Sequence, residues 1–234
     1  MSDGSLTPEQ LVDLANERAL DILSITDHDT LDAYSAIKVI PPKLQLITGI
    51  EFSSQWRKQG IHIVGLNVDP ASESIICGVA QQKKARLDRA EKIAERLSNL
   101  GFEHCLEGAT LLADGQIGRP HFAQHLVNIG AVSNIKQAFK KYLGAGKVGD
   151  IKEQWAETAT VVQWIRESGG IAVLAHPSKY KMTRTKLKEL LTDFCSAGGE
   201  GMEVISGLHV PAVTIDLAAI CNQYGLLASC RSVF

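Results

Sequence analysis

An α/β barrel is the fold class this 234-residue sequence predicts, on three observations. Short apolar runs alternate with helix-period segments at both ends of the chain, the pattern of parallel strands joined by helices. Three of those runs deliver a carboxylate or an imidazole just past their last apolar residue, where barrels of this class gather functional side chains. Between the two alternating regions the chain reads as helices broken at glycines, which marks an insertion.

The elements follow in order. Thr7-Pro8-Glu9-Gln10 opens a helix, with Thr7 as N-cap, Pro8 at the first helical position, Gln10 closing a capping box, and Leu11, Leu14 and Ala15 as the apolar stripe. A strand at 21–26 contains Ile22-Leu23-Ser24-Ile25 and runs into Thr26-Asp27-His28-Asp29-Thr30. A short helix from about residue 30 and a strand at 44–50 follow, the latter delivering Glu51, and then the β-rich segment Ile61-His62-Ile63-Val64-Gly65-Leu66. A long amphipathic helix spans about 73–100, with Leu87, Ala90, Ala94 and Leu97 as its buried stripe.

From about 70 to 155 the alternation stops, with breaks at Gly101, near 115–120, at Gly130 and at 144–149. A helix at 156–168, a strand at 171–175 delivering His176, a helix at 184–197, a strand at 202–205, a helix at 211–224 and a strand-like 226–229 then complete the chain. Residues 1–70 and 156–234 are therefore expected to form the barrel, and 71–155 a helical lobe packed on it rather than an independent domain. Parallel strands with intervening helices are expected in the last stretch, after the lobe, as a barrel requires.

Composition excludes several classes. The 45% hydrophobic and 21% charged fractions are those of a globular chain, long enough to bury about 70–75% of its unfolded surface. No apolar run approaches the roughly 18 residues of a membrane span, and Met1-Ser2-Asp3-Gly4-Ser5 lacks the basic-then-apolar order of a secretory signal, so a cytoplasmic protein is expected. Five scattered cysteines offer no close pair for zinc or redox chemistry, and are expected to be reduced, mostly core thiols. The net charge of −2 conceals polarity: residues 1–82 carry 5 basic and 11 acidic side chains, a balance of −6, which leaves +4 for the remainder. The basic clusters suit phosphate-bearing ligands, or else are solvated helix faces.

Asp27, His28, Glu51, His62 and His176 are the residue types that metal-assisted phosphoester hydrolysis needs, because a cluster of carboxylates and imidazoles can hold a divalent cation that activates water. His28, Glu51 and His176 each stand just past a predicted strand. His62 lies between Ile61 and Ile63, and two-residue alternation turns it away from both, toward the bowl or the barrel interior. Taken singly, a histidine set like His62 is more often a hydrogen-bonded core histidine than a ligand, and Asp29 could merely cap the next helix. His104, His125 and His209 lack such a setting. In the lobe, Arg86 and Arg89 lie one helical turn apart and could fork a phosphate, while Gly118-Arg119-Pro120-His121 opens a helix whose free N–H groups, Arg119 and His121 could receive an anion; salt bridges are the alternative for both.

Together, Ser2-Asp3-Gly4-Ser5-Leu6-Thr7-Pro8, Ile25-Thr26-Asp27-His28-Asp29-Thr30, Gly49-Ile50-Glu51, Ile61-His62-Ile63-Val64-Gly65-Leu66 and Ala175-His176-Pro177 resemble the polymerase-and-histidinol-phosphatase (PHP) phosphoesterases along essentially the whole chain. Arg86-Leu87-Asp88-Arg89-Ala90 and Gly118-Arg119-Pro120-His121-Phe122 resemble the branch containing bacterial 3′,5′-nucleoside bisphosphate phosphatases and RNase AM, a 5′-to-3′ exoribonuclease. The resemblance implies a distorted (β/α)₇ TIM-like barrel with a helical insertion, and a centre of up to three divalent metals, usually Mn²⁺, with Zn²⁺ or Fe²⁺ compatible with the same donors. By position, Asp3, His28, Glu51, His62 and His176 correspond to metal ligands, and Arg86, Arg89, Arg119 and His121 to the surface that binds phosphate and nucleotide. Asp27 has no ligand role by resemblance and is expected to orient or polarise a ligand from behind.

The family pattern also differs at both ends. It begins with an Asp-Leu-His-x-His strand before the Ser-Asp-Gly segment, and ends with Gly-Ser-Asp-x-His, where this sequence has Arg231 at the glycine and Val233 at the aspartate. Four family ligands are thus not found here, as from a truncated reading frame, and a barrel incomplete at both ends is expected. The expected activity is metal-dependent hydrolysis of phosphate from nucleotides or stepwise trimming of a short RNA 5′ end, with no membrane and no stable protein partner. A degenerate barrel that binds nucleotide or RNA without chemistry is the first alternative, and a barrel hydrolase of C–N bonds the second.

Overall fold

The computed structural model of the chain describes residues 6–113, 116–151, 155–208 and 210–231. Two compact units divide the chain, one of residues 1–82 with 155–234 and one of residues 83–154.

The first unit is built on a six-stranded sheet, β1 (Ile22–Ile25), β2 (Gln45–Trp56), β3 (Gln59–Leu66), β4 (Ile171–Leu174), β5 (Gly201–Ser206) and β6 (Leu227–Arg231), paired in that order. The sheet curls into part of a barrel and stays open: among the described residues β1 pairs only with β2, and β6 only with β5. This is the expected α/β architecture, an incomplete TIM-like barrel. Helices α1 (Pro8–Glu17) and α2 (Asp32–Ala36), the first turns of α3 (Glu73–Ser98), and later helices at Thr158–Glu167, Arg184–Ser196 and Pro211–Gln223 flank it. The capping box of Thr7 and Gln10 starts α1 as the sequence predicts.

Pairing is not parallel throughout. β1 runs parallel to β2, and β4, β5 and β6 are mutually parallel, but β3 is antiparallel to both of its neighbours. Only Arg57 and Lys58 separate β2 from β3, too little chain for a crossover. Arg57 adopts φ 56°, the left-handed conformation that tight hairpins require. The hairpin also extends β2 to Trp56, so Glu51 lies inside a twelve-residue strand rather than beyond a strand end.

Two-residue alternation then sorts the sheet's faces. Ile50, Phe52, Ile61, Ile63, Ala172, Leu174, Met202 and Val204 turn to the helices and form one buried core with Val161, Ile165, Leu190, Phe194, Leu217 and Ile220. Each large side chain so buried contributes roughly 1.5–3 kcal/mol. The other face holds the smaller cluster of Val64, Val173 and Ala175, and on it stand Glu51 and His62.

The second unit comprises the rest of α3 with α4 (Cys105–Leu112), α5 (Arg119–Asn128), α6 (Ile135–Ala138) and a π-helical turn over Phe139–Leu143. Its core includes Ala90, Ile93, Leu97, Phe122, Leu126 and Leu143. The stripe on α3 is thus rotated from the expected one: Leu87 is exposed and Ile93 is buried. The helices at Thr158–Glu167, Arg184–Ser196 and Pro211–Gln223 are α7, α8 and α9. No helix among the described residues is long and apolar enough to cross a membrane. All five cysteines are free; Cys105 and Cys221 are buried, whereas Cys77 and Cys230 are exposed, so core placement holds for only part of the set.

Candidate metal centre

Register brings the first two donors together. Ile25 pairs with Thr48, and the same offset continues past the end of β1 as a bridge between His28 and Glu51, closed by Asp29 N–H to Glu51 O and Glu51 N–H to Asp27 O, both 3.0 Å. Directly paired residues share a face, so the two side chains stand side by side. Gly49, two residues before Glu51, keeps this approach close, since a Cβ there would lie 2.1 Å from Ser24 Oγ.

The hairpin supplies the third donor. Ser53 pairs with His62 and Glu51 with Val64, which makes Glu51 and His62 diagonal neighbours on one face. β4 supplies the fourth: Ala175 N–H donates to His62 O at 3.1 Å, and His176 follows with φ 29°, a conformation rarely adopted by a residue with a Cβ. Its N–H donates to Glu203 Oε2 at 2.7 Å. Tyr180 ties the two strand ends, accepting from His62 N–H at 2.8 Å and donating to Ala175 O at 2.7 Å.

Three imidazoles converge on a single carboxylate oxygen. Glu51 Oε1 lies 2.8 Å from His62 Nδ1, 3.0 Å from His176 Nε2 and 3.9 Å from His28 Nδ1, and the two nearer nitrogens are 3.2 Å apart. Donor atoms of His28, Glu51 and His62 all lie within 4.8 Å of one another. Bonds of about 2.0–2.1 Å around one cation put neighbouring donors roughly 3.0–3.4 Å apart, so this set needs little rearrangement to hold a divalent ion. His176 Nδ1, the ring nitrogen other than the one directed at Glu51, is buried without a hydrogen-bond partner among the described residues. Mixed nitrogen and oxygen donation suits manganese, iron and zinc alike.

The electrostatics follow from burial. Glu51 has no exposed surface; burial alone would raise its pKa, but hydrogen bonds from His176 and His62 and the charge of His28 outweigh that and hold the carboxyl well below the usual range. The His62 pKa is lowered, first by desolvation and then by its imidazole neighbours, against the pull of Glu51. Both directions leave the forms that coordinate metal: an ionised carboxylate and a neutral imidazole.

Three further residues shape the bowl that the sequence had not marked. Glu203 stands on β5, almost fully buried, with its pKa raised by desolvation against the His176 N–H and Arg231. Its signal was a lone carboxylate within the apolar run Met202-Glu203-Val204-Ile205. Arg231, the last residue of β6, donates to Glu51 Oε2. Asp29, read as a candidate cap, is fully buried and accepts from Ser53 N–H at 2.7 Å, Ser53 Oγ at 2.8 Å and Gln82 Nε2 at 3.2 Å, while Thr30 Oγ1 accepts from Asp32 N–H instead.

Asp27 lines an apolar cleft of about 430 Å³ that lies along β1 and β6 and includes Leu14, Ile47, Glu203 and Arg231. Asp3 falls outside the described residues, as do His209 and Val233. In the second unit Arg86, Arg89 and Arg119 line one small depression with Ile117, Gly118 and Phe122. Arg119 also approaches Asp150 at 3.6 Å and Leu143 O at 3.3 Å. His121 does not line that depression; its Nδ1 accepts from Gly118 N–H at 3.0 Å, which caps α5.

No family model matches the chain. It is 40% identical over 237 residues to the 3′,5′-nucleoside bisphosphate phosphatase of Chromobacterium violaceum, covering all of this chain and 83% of that one. It is 42% identical over 238 residues to the 5′-3′ exoribonuclease Rnm of Escherichia coli, again over its full length and 81% of the relative. A solved structure from Chromobacterium violaceum, described as an amidohydrolase with bound sulfate and no metal, superposes with a TM-score of 0.87 at 39% identity, over all of this chain and 84% of that one.

Proposed function

Because the chain belongs to the PHP superfamily of phosphoesterases, in the branch of the 3′,5′-nucleoside bisphosphate phosphatases and 5′-3′ exoribonucleases, and is by family a metal-dependent phosphoric ester hydrolase, we propose that it hydrolyses phosphate from a 3′,5′-nucleoside bisphosphate or releases nucleotides stepwise from the 5′ end of a short RNA. One observation carries this: His28, His62 and His176, from three separate stretches of chain, aim at one oxygen of a fully buried Glu51. These four residues hold the cation, Mn²⁺ by analogy with the family, with Asp3 as a further candidate ligand and Asp27 supporting from behind. A divalent cation there supplies Lewis acidity, acidifying water and neutralising charge on phosphoryl oxygens.

The chain's own residues do the rest. Tyr180 and Glu203 fix His62 and His176 through their backbones, so the imidazoles are oriented before any ligand arrives. Arg86, Arg89 and Arg119, gathered at one depression, offer forked hydrogen bonds to a phosphate, which favours a phosphorylated substrate over a C–N bond. His121, engaged with Gly118, contributes to that surface by fixing the start of α5. The five free thiols support a reducing, cytoplasmic setting.

Incubation with adenosine 3′,5′-bisphosphate and Mn²⁺, alongside a 5′-phosphorylated oligoribonucleotide, tests the proposal. Release of phosphate or mononucleotide that requires Mn²⁺ and is lost in Glu51→Gln is the expected result; no release from protein that metal analysis finds loaded overturns it. A second reading, nucleotide binding without hydrolysis, is favoured by the Arg231 guanidinium already seated on Glu51. It predicts calorimetric binding of the bisphosphate in chelator with no turnover.

A further inference from the structure

We propose that Arg231 is a tethered counter-cation that competes with a divalent metal ion for the Glu51 carboxylate; the inference rests on the cation site proposed above. Both Glu51 oxygens are engaged, Oε1 by His62 and His176 and Oε2 by Arg231, and the carboxylate has no access to solvent. Arg231 cannot easily drift away. Its backbone is held in register with Ser206, and its carbonyl accepts from Gly207 N–H at 3.0 Å.

With Glu51 fully buried, the pair is broken by moving the Arg231 side chain. The route exists: Arg231 borders the 430 Å³ cleft along β1 and β6, whose wall also presents the carboxylates of Glu203 and Asp27. A displaced guanidinium can therefore exchange one carboxylate partner for another without losing ionic company. Arg231 thus sets the affinity of the site, lowering it for every divalent cation while compensating buried negative charge in their absence.

Calorimetric titration of Mn²⁺ into the wild-type chain and into Arg231→Met, Arg231→Lys and Glu51→Gln tests this. Methionine keeps the apolar stem without the charge, and lysine keeps the charge without the fork. The expected result is Mn²⁺ affinity about tenfold higher in R231M than in wild type, R231K lying between them, and no binding in E51Q. Equal or weaker binding by R231M, with wild type binding and E51Q not, overturns the competition while leaving the cation site standing. Absence of binding in wild type and R231M alike removes the cation site and the competition with it. Should R231M fail to fold by circular dichroism, R231K decides, and affinity equal to or below wild type overturns the proposal. A second readout is independent of affinity: the ¹⁵N guanidinium resonance of Arg231 must shift when the protein is saturated with diamagnetic Zn²⁺, and a resonance that stays in place overturns the proposal.

Discussion

The barrel bowl and the arginine depression of the helical unit are both charged sites, yet they solve opposite electrostatic problems. In the bowl a carboxylate is stripped of water and ringed by imidazoles from elements as far apart as residues 28 and 176, with the closest donors 2.8–3.2 Å apart. In the other unit Arg86 and Arg89 sit at helical i, i+3 spacing and Arg119 at a helix start, all only partly buried around a depression of about 10 Å³. A dry cluster of fixed donors matches a compact divalent ion, whose binding replaces hydration outright. Guanidiniums along one helix face and at a helix start, Arg119 partly exposed and Arg89 with its Nε and one Nη buried, match a larger anion with several oxygens, and attraction at their exposed edge falls with added salt. The lesson is that donor type and spacing, together with burial, separate a metal seat from a phosphate grip.

The sharpest break between the two regions is Glu51→Gln. It should lower Mn²⁺ affinity by about 100-fold or more, measured by calorimetry, because a neutral amide cannot gather three imidazoles around a cation. The same change takes the charged partner from Arg231, and with Glu203 and Asp27 lining the same cleft it should cost about 1–3 kcal/mol of stability in denaturant unfolding. Phosphate binding by the second unit should be untouched by it.

The converse variant, Arg86→Ala with Arg89→Ala, should weaken binding of adenosine 3′,5′-bisphosphate about 10- to 100-fold, the worth of one charge-assisted hydrogen bond at roughly 1.5–3 kcal/mol. Mn²⁺ affinity should stay at its wild-type value. Raising salt should weaken bisphosphate binding in the wild-type chain more than it weakens Mn²⁺ binding, and an equal loss in both would erase the contrast drawn above.

Asp29→Asn probes the frame beneath the bowl. Asparagine tolerates the φ of 55° found at Asp29, so the variant tests hydrogen bonding rather than backbone strain. Placing an amide N–H₂ donor where a carboxylate oxygen accepts from Ser53 or Gln82 should cost about 1–3 kcal/mol of unfolding free energy, with a smaller fall in Mn²⁺ affinity than at Glu51.

The smallest effect belongs to Tyr34→Phe. The Tyr34 hydroxyl donates toward Ile25 O at 2.8 Å or Ile47 O at 3.0 Å and accepts from Ile25 and Gly49 N–H groups, knitting β1 to β2 just before His28 and Glu51. Its loss should cost about 1 kcal/mol. Burial raises the Tyr34 pKa, so what the hydroxyl contributes is fully present below the ordinary tyrosine pKa and is lost as pH rises through the raised one. The wild-type advantage over Y34F should therefore hold at neutral pH and shrink in strong alkali.

Much of this was legible before any coordinates. The capping box at Thr7, the strand at Ile22–Ile25, the long α3 and the alternation that turns His62 away from Ile61 and Ile63 are local patterns, and local patterns are written in residue spacing. Leu87 was misjudged because two stripes one residue apart are nearly equivalent in periodicity, and only packing around Ile93 and Leu97 chose between them. The antiparallel course of β3 was missed because Arg57-Lys58 carries no Asn-Gly or Gly signature, although a gap so short leaves no other topology.

By itself, then, the sequence determined which side chains could hold a cation and which helix face carries paired arginines, since residue chemistry and helical period are properties of the chain alone. Only the tertiary structure decided that Glu51 faces His62 across a hairpin diagonal, that Asp29 is a buried strut rather than a cap, and that Glu203 and Arg231 join the bowl. Those facts depend on strand register, and register is set by the burial of a whole sheet face, because a slip of one residue would turn every one of these donors into the helix-packed core.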